Sequence, residues 1–243
     1  MRKIYALLMS IMLVCIGCEW RLNGSGSESE TIVNVERYDR IQSLYLTTGD
    51  FSALQQMNTS YPQQTRTLIA SAEQQYANMD DINKDLSDAF SRLRDMLPNI
   101  EVPQVYAQIG SLDQSIIVGN GLLGISLDKY LGSNYPLYLR EDYGYMNEQR
   151  DAMTRDFIVP DCIGFYLLSL YPMPNDHDLT QLERDMYIGK VQWVVNQSMN
   201  KQVFNTLYTR NVGHFMKSHP NITTEQLLRN NYFAKTQKVK MEF

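Results

Sequence analysis

Three glycines in "VGNGLLG", Gly119, Gly121 and Gly124, spell G-x-G-x-x-G. That spacing cradles a pyrophosphate when it joins a strand to a helix N-terminus. Here the glycines run into Leu122, Leu123, Ile125 and Leu127, which read as a second strand, and no GK[ST] is present for a Walker loop. Gly119-Asn120-Gly121 therefore predicts a hairpin turn, with Asn-Gly supplying positive φ, and no nucleotide is expected. The chain has three histidines. His214 and His219 are five apart, about 140° around a helix, so they do not share a face. His177 lies between Asp176 and Asp178 in "PNDHDL"; this trio could hold a metal weakly, but a solvated loop is the expectation. No G-x-S-x-G elbow presents a serine nucleophile. Asp128 and Asp161, if brought together, could do acid–base work; the plainer reading is a cap and a turn. Cys162 sits in the apolar run "FIVPDCIGFYLL", so it is expected to be a small core residue with a raised thiol pKa.

The elements that must position these residues fall into three stretches. The first is helical. "VERYDRIQSLYL" puts Val35, Tyr38, Ile41 and Tyr45 on one face, and "DFSALQQM" starts at Asp50 and offers Phe51, Leu54 and Met57. The next helix buries Leu68, Ile69, Ala72 and Tyr76. The cleanest carries Ile82, Leu86, Phe90, Leu93 and Leu97, with Asp80 as cap and Pro98 as stop. In the middle the period changes to strand-like runs broken by Gly, Asp and Asn, which predicts a small antiparallel sheet over about 102–130. There Ile125 and Leu127 should face the helices while Gly124 and Ser126 face away. Helices then return near 156–171 (Pro160 in the first turn), near 180–199, across "VFNTLYTRNVGHFMKS", and from the capping pattern Thr223-x-x-Gln226. The fold class is α+β, predominantly helical, with the sheet packed on helices.

The N-terminus says where the chain goes. "MRKIYALLMSIMLVCIGC" has Arg2 and Lys3, an apolar run from Ile4 to Ile16, then Gly17-Cys18. The run is too short for a stable membrane span. Its ending fits a bacterial lipoprotein signal, in which the Cys18 thiol takes a diacylglycerol and cleavage leaves Cys18 as the acylated first residue. Cys15 leaves with the signal, so only Cys162 stays a free thiol and no internal disulfide is expected. The expected divisions are a signal peptide over 1–17, a lipidated Cys and Gly/Ser/Glu tether over 18–32, and one globular domain over 33–243. The 243 residues carry a net charge of −5 with 20% charged residues, which excludes a basic nucleic-acid binder. Tyr130, Tyr135, Tyr138, Tyr143 and Tyr145 cluster after the strand, among 16 tyrosines in all. Such a loop serves either as a contact surface or as loop packing with its hydroxyls outward.

The stretch "IIVGNGLLGISLDKYLGSNYPLY" resembles the lipoprotein family named for gliding-motility protein B of Bacteroidetes, in which a strand is followed by LDxxLGxxYPxY. Asp128, Leu131, Gly132, Tyr135, Pro136 and Tyr138 fit that pattern. "RYDRIQSLYLTTGDFSALQQMNTSYP" is similar to the family's "RFD" helix, acidic turn and Tyr-Pro, and "DMYIGKVQWVV" to its "MIYxGKxLYF" helix. The family's C-terminal Gly/Pro-rich segment has no counterpart before "KVKMEF", so a shortened, divergent member is expected. The family in turn resembles zincin-type metallopeptidases, whose HExxH helix supplies two His ligands and a Glu base and whose later helix supplies a third ligand. Laid on that pattern, Pro160 and Gly164 fall at the His positions, Asp161 at the Glu position and Ile188 at the third ligand. The resemblance implies a pseudo-metallopeptidase with no metal and no cofactor, acting through protein–protein contacts. Its partners would be the membrane, through the lipid, and envelope proteins, on the outer membrane or a periplasmic membrane face. A divergent hydrolase using a pocket near Asp128 and Asp161 is the alternative. Tyr135, Tyr138, Tyr143 and Tyr145 are the expected interaction surface.

Overall fold

The computed structural model describes residues 31–40, 62–110, 112–174, 179–230 and 233. In chain order its elements are β1 (Val35–Arg37), α1 (Pro62–Gln75), α2 (Asp80–Met96), β2 (Gln104–Gln108), β3 (Ile116–Gly119), β4 (Leu122–Ser126), α3 (Asn147–Asp151), α4 (Ile158–Leu170), α5 (Gln181–Met199), α6 (Leu207–Ser218) and α7 (Thr224–Arg229). The architecture is α+β and predominantly helical.

The helices form where the apolar spacing asks for them. Leu68, Ile69 and Ala72 of α1 are buried, with Tyr76 just beyond its end, and Ile82, Leu86, Phe90 and Leu93 form the inner face of α2. Asp80 is not the cap of α2. It is the first helical residue, and its N–H is taken by the Asn78 carboxamide at 2.6 Å. α5 opens on a capping box: the Thr180 hydroxyl accepts from the Glu183 N–H at 3.3 Å, and the Glu183 carboxylate accepts from the Thr180 N–H at 2.8 Å. Thr223 and Gln226 make the expected reciprocal pair at the start of α7. Pro160 lies in the first turn of α4, where no helical carbonyl needs its missing N–H.

The sheet corrects three expectations. Its order is β1-β2-β4-β3. Only the β3/β4 hairpin is antiparallel, and β1 and β4 both run parallel to β2, so the sheet is mixed. β1 occupies a stretch expected to be helical. Side chains of α2 hold it extended: Asn83 Oδ1 accepts from the Val35 N–H at 3.0 Å and Ser87 Oγ from the Val33 N–H at 2.9 Å. Tyr38 is consequently 47% exposed rather than buried. Ile41, Tyr45, Phe51, Leu54 and Met57 lie outside the described residues. Finally, β4 does not alternate, because Leu123 through Ser126 are all buried. The Tyr106 ring of β2 lies over Gly124, where a Cβ would sit 2.6 Å from it, and Gly110 closes over Ser126. Leu127 opens a 3-10 turn after β4 and is fully buried.

One buried cluster links these elements. α2 packs on α4 and α5, α4 lies against β3 and β4, and α6 and α7 pack on α5. Among the described residues no helix is long and apolar enough to cross a membrane.

Candidate functional site

Asn120 and Gly121 join β3 to β4 as a two-residue turn between the paired Gly119 and Leu122. Gly121 has φ of 69°, whereas Asn120 keeps negative φ, so only the glycine supplies the left-handed geometry. A strand follows the glycines, so there is no helix N-terminus to face a phosphate.

The conspicuous chemistry lies just downstream, and most of it is engaged with backbone. Asp128 is fully buried. Its two carboxylate oxygens accept from the Gly110 N–H at 2.7 Å and the Leu112 N–H at 2.6 Å. Burial pushes its carboxyl up, against the pull of those two amide donors. Leu112 has φ of 63°, a conformation costly for a branched side chain. It is held there from both sides, since its carbonyl accepts from Tyr145 Oη at 3.0 Å and Lys129 Nζ at 3.3 Å. Tyr138, only 1% exposed, donates to the Asp128 carbonyl and accepts from the Leu131 N–H at 3.0 Å. Tyr76 donates to the Tyr130 carbonyl at 2.5 Å, and Tyr135 Oη lies 3.0 Å from Ser71 Oγ. The segment from Asp128 to Tyr138 is thus a knot of hydroxyls and one carboxylate that ties the end of β4 to α1 and to the loop before β3.

Asp161 has a different partner. It projects from α4 and accepts from Tyr130 Oη at 2.8 Å. Burial raises its carboxyl to about 6, with the Tyr130 hydrogen bond pulling the other way. The two carboxylates have separate hydrogen-bond partners: backbone amides for Asp128 and the Tyr130 hydroxyl for Asp161. Pro160 is buried and Gly164 faces Val195 of α5, where an added Cβ would make ordinary contact at 3.8 Å. Ile188 is half-buried on α5. Pro160, Gly164 and Ile188 bring no side-chain lone pair to these positions, so they do not fit a zinc site. Cys162 is buried, and burial pushes its thiol well up. His177, Asp176 and Asp178 lie outside the described residues. His219 stacks on Phe215 at 4.2 Å, and His214 is exposed. Among the described residues, no cluster of three or more His, Cys, Asp or Glu side chains is placed to hold a metal ion.

The tyrosines divide by depth. Burial removes Tyr138 from the expected surface. Tyr135 and Tyr145 are half-buried and edge-on to Tyr138 at 5.1 and 6.0 Å. Tyr143 stacks on Tyr145 with centroids 6.1 Å apart, and the Arg140 guanidinium lies 5.6 Å over its ring. The ladder thus runs from core to solvent and ends in Tyr143 and Arg140.

The family model described as gliding motility protein GldB matches residues 26–210. The chain belongs to the GldB family. No curated protein and no solved structure gives a significant match. The match takes in β1, the Asp128 knot, α4 and α5.

Arg37 and Asp39 lie in the RYD stretch and Lys190 in the MYIGK stretch that resemble the family, but what they bond to, like the place of Arg155, was not read from the sequence. Arg37 forks onto the buried Asp39 at 2.8 and 2.6 Å and reaches the Tyr76 carbonyl at 2.6 Å. Arg155 pairs with both oxygens of Asp81 and reaches the Gln75 and Asn78 carbonyls at 3.3 and 2.8 Å. Together they cover the carbonyl end of α1, where cations suit the helix dipole. Lys190 is buried, donates to the Leu228 and Asn230 carbonyls at 3.3 and 2.8 Å, and is lowered to about 8 by burial. The R-x-D spacing of Arg37 and Asp39 was a readable signal. Arg155 gave none, because its acid, Asp81, lies far away in sequence, and the carbonyls that Arg155 and Lys190 reach are carried by every residue.

Proposed function

We infer that this GldB-family chain is a lipid-anchored cell-envelope protein that works through contacts with other envelope proteins and performs no chemistry of its own. The observation that carries this reading is the setting of α4 and α5. On the zincin pattern that the family resemblance implies, Pro160, Gly164 and Ile188 would take the ligand positions, and the one acid among them, Asp161, accepts from Tyr130 at 2.8 Å. The anchor is Cys18, whose thiol takes a diacylglycerol before cleavage after Gly17 leaves it as the first residue. The stretch 18–32 is the tether, and 33–243 the domain that it holds off the membrane. Two or three acyl chains, at about 0.8 kcal/mol per buried methylene, suffice for stable attachment. The outward end of the tyrosine ladder, Tyr143 with Arg140, supplies the contact surface, with Tyr135 and Tyr145 as its backing. Aromatic and arginine side chains of this kind anchor protein interfaces. A hydrolytic reading would rest on Asp161 alone, since both oxygens of Asp128 are taken by backbone amides.

Two measurements test the reading. Cys18→Ala is expected to leave the membrane fraction or to stall before processing; a variant that matures to the same size and stays with membranes overturns the anchor. Full-length protein in detergent, after desalting, is expected to hold no stoichiometric zinc and to cleave no casein. One retained equivalent of zinc overturns the non-catalytic reading.

A further inference from the structure

A second groove lies on the far end of α5, away from the tyrosine knot in sequence and in its chemistry. It has a volume of about 440 Å³ and lies between α5, the loop after it and α6. On α6, Arg210, Gly213, His214 and Lys217 fall at i, i+3, i+4 and i+7, which places them along one face. Lys201 adds a further cation from the loop, and none of the residues lining the groove is acidic. In a chain of net charge −5 this is a local reversal of sign. Among the described residues, Lys201, Arg210 and Lys217 form no ion pair. The Arg210 guanidinium is steadied by the Asn205 carbonyl and side chain at 3.1 and 3.0 Å.

The rest of the lining narrows the ligand. Trp193 lies against α6 where Gly213 leaves room; a Cβ there would come 3.4 Å from its indole nitrogen. That N–H has no hydrogen-bond acceptor among the described residues, and it is not a buried unpaired atom. Gln197, Asn200 and Gln202 line the same groove. Their carboxamides both donate and accept, as a vicinal diol requires. The loop is also preformed. Asn196, which is buried, accepts from the Val203 and Phe204 N–H groups at 2.9 Å and donates to the Phe204 carbonyl at 2.7 Å.

We propose that this groove binds an anionic saccharide, with the sugar ring against Trp193, its hydroxyls on the carboxamides, and its phosphate or carboxylate on Arg210, Lys217 and Lys201. The electron-rich indole face suits the weakly positive C–H face of a sugar. A guanidinium suits a phosphate or carboxylate through paired N–H donors. A groove walled by one sign of charge also concentrates such an anion. This assignment does not depend on the lipid anchor or on the absence of catalysis.

The test is a ligand-observed NMR titration of full-length protein in a polyoxyethylene detergent, which carries no sugar headgroup. The probes are glucose 6-phosphate, glucose, inorganic phosphate, glycerol 3-phosphate and AMP. Glucose 6-phosphate is expected to bind saturably, and each other probe about tenfold more weakly or worse. Arg210→Glu with Lys217→Glu is expected to weaken glucose 6-phosphate binding about tenfold or more while the melting temperature holds, because both side chains are exposed. Trp193→Phe, which keeps an aromatic floor, should weaken it less than the charge reversal. Equal binding of glycerol 3-phosphate would give the site to a phospholipid headgroup, and tighter AMP binding would give it to a nucleotide; either overturns the saccharide. So does the absence of saturable binding, or binding that survives the charge reversal.

Discussion

The loop and turns around Asp128 and the groove beside Trp193 are both rich in polar and aromatic side chains, yet they use them in opposite ways. Around Asp128 most polar groups meet a backbone partner. The carboxylate takes two amides, Tyr138 bridges a carbonyl and an amide, and Tyr145 and Lys129 share the Leu112 carbonyl. Beside Trp193 the cations and carboxamides line open space with no acid among them. Polar groups engaged by the chain hold a fold; polar groups left open to solvent on a preformed wall are free to hold something else. The pattern most visible in the sequence belongs to the first region.

That contrast can be broken most forcefully at Leu127, the fully buried residue that begins the knot. Leu127→Ala is expected to cost about 2–5 kcal/mol, read by denaturant unfolding; a loss below 1 kcal/mol would mean that the turn is not core. Tyr138→Phe removes only the hydroxyl and strands the Asp128 carbonyl and the Leu131 N–H. Its expected cost is about 1–3 kcal/mol, larger than any single exposed change on α6.

Asp161 sharpens the comparison through pH. Its carboxyl is raised by burial to about 6 from an ordinary value of 3.8. The folded chain therefore holds that proton more tightly than the unfolded one, and the associated stability is lost as pH rises from about 4 through about 6. Asp161→Asn does not titrate and keeps an acceptor for Tyr130. Melting the two proteins at pH 4 and pH 7 should show the variant gaining on the wild type by roughly 2–3 kcal/mol across that window. A gap that does not change with pH would place Asp161 in a more solvated setting than described here.

Much of this was legible in the sequence, for reasons that differ by element. The faces of α1 and α2, the cap of α7 and the Asn120-Gly121 turn rest on local spacing and local φ, which a single chain displays. The helical expectation for Val35 to Arg37 fails because this stretch pairs with β2 and the amides of Val33 and Val35 are taken by Ser87 and Asn83, partners that approach only in the folded state. The burial of both faces of β4 likewise depends on the Tyr106 ring crossing Gly124. At the candidate site, that Pro160, Gly164 and Ile188 carry no metal-ligating atom is legible from residue type alone. Which tyrosines lie inside was not readable, since Tyr138 and Tyr143 differ only in what the chain folds over them.

The smallest structural effect and the sharpest functional one should coincide at the outer end of the ladder. Arg140→Ala with Tyr143→Ala is expected to change stability by about 1 kcal/mol or less, because Arg140 is exposed and Tyr143 is only partly buried at the outer end of the ladder. The measurement that most directly separates contact from chemistry is therefore capture of crosslinked envelope partners from intact membranes, comparing this double variant with Asp161→Asn. The account predicts that Asp161→Asn retains the wild-type partner set while the double variant loses it at an unchanged melting temperature. Loss of partners in Asp161→Asn, with full capture by the double variant, would contradict it.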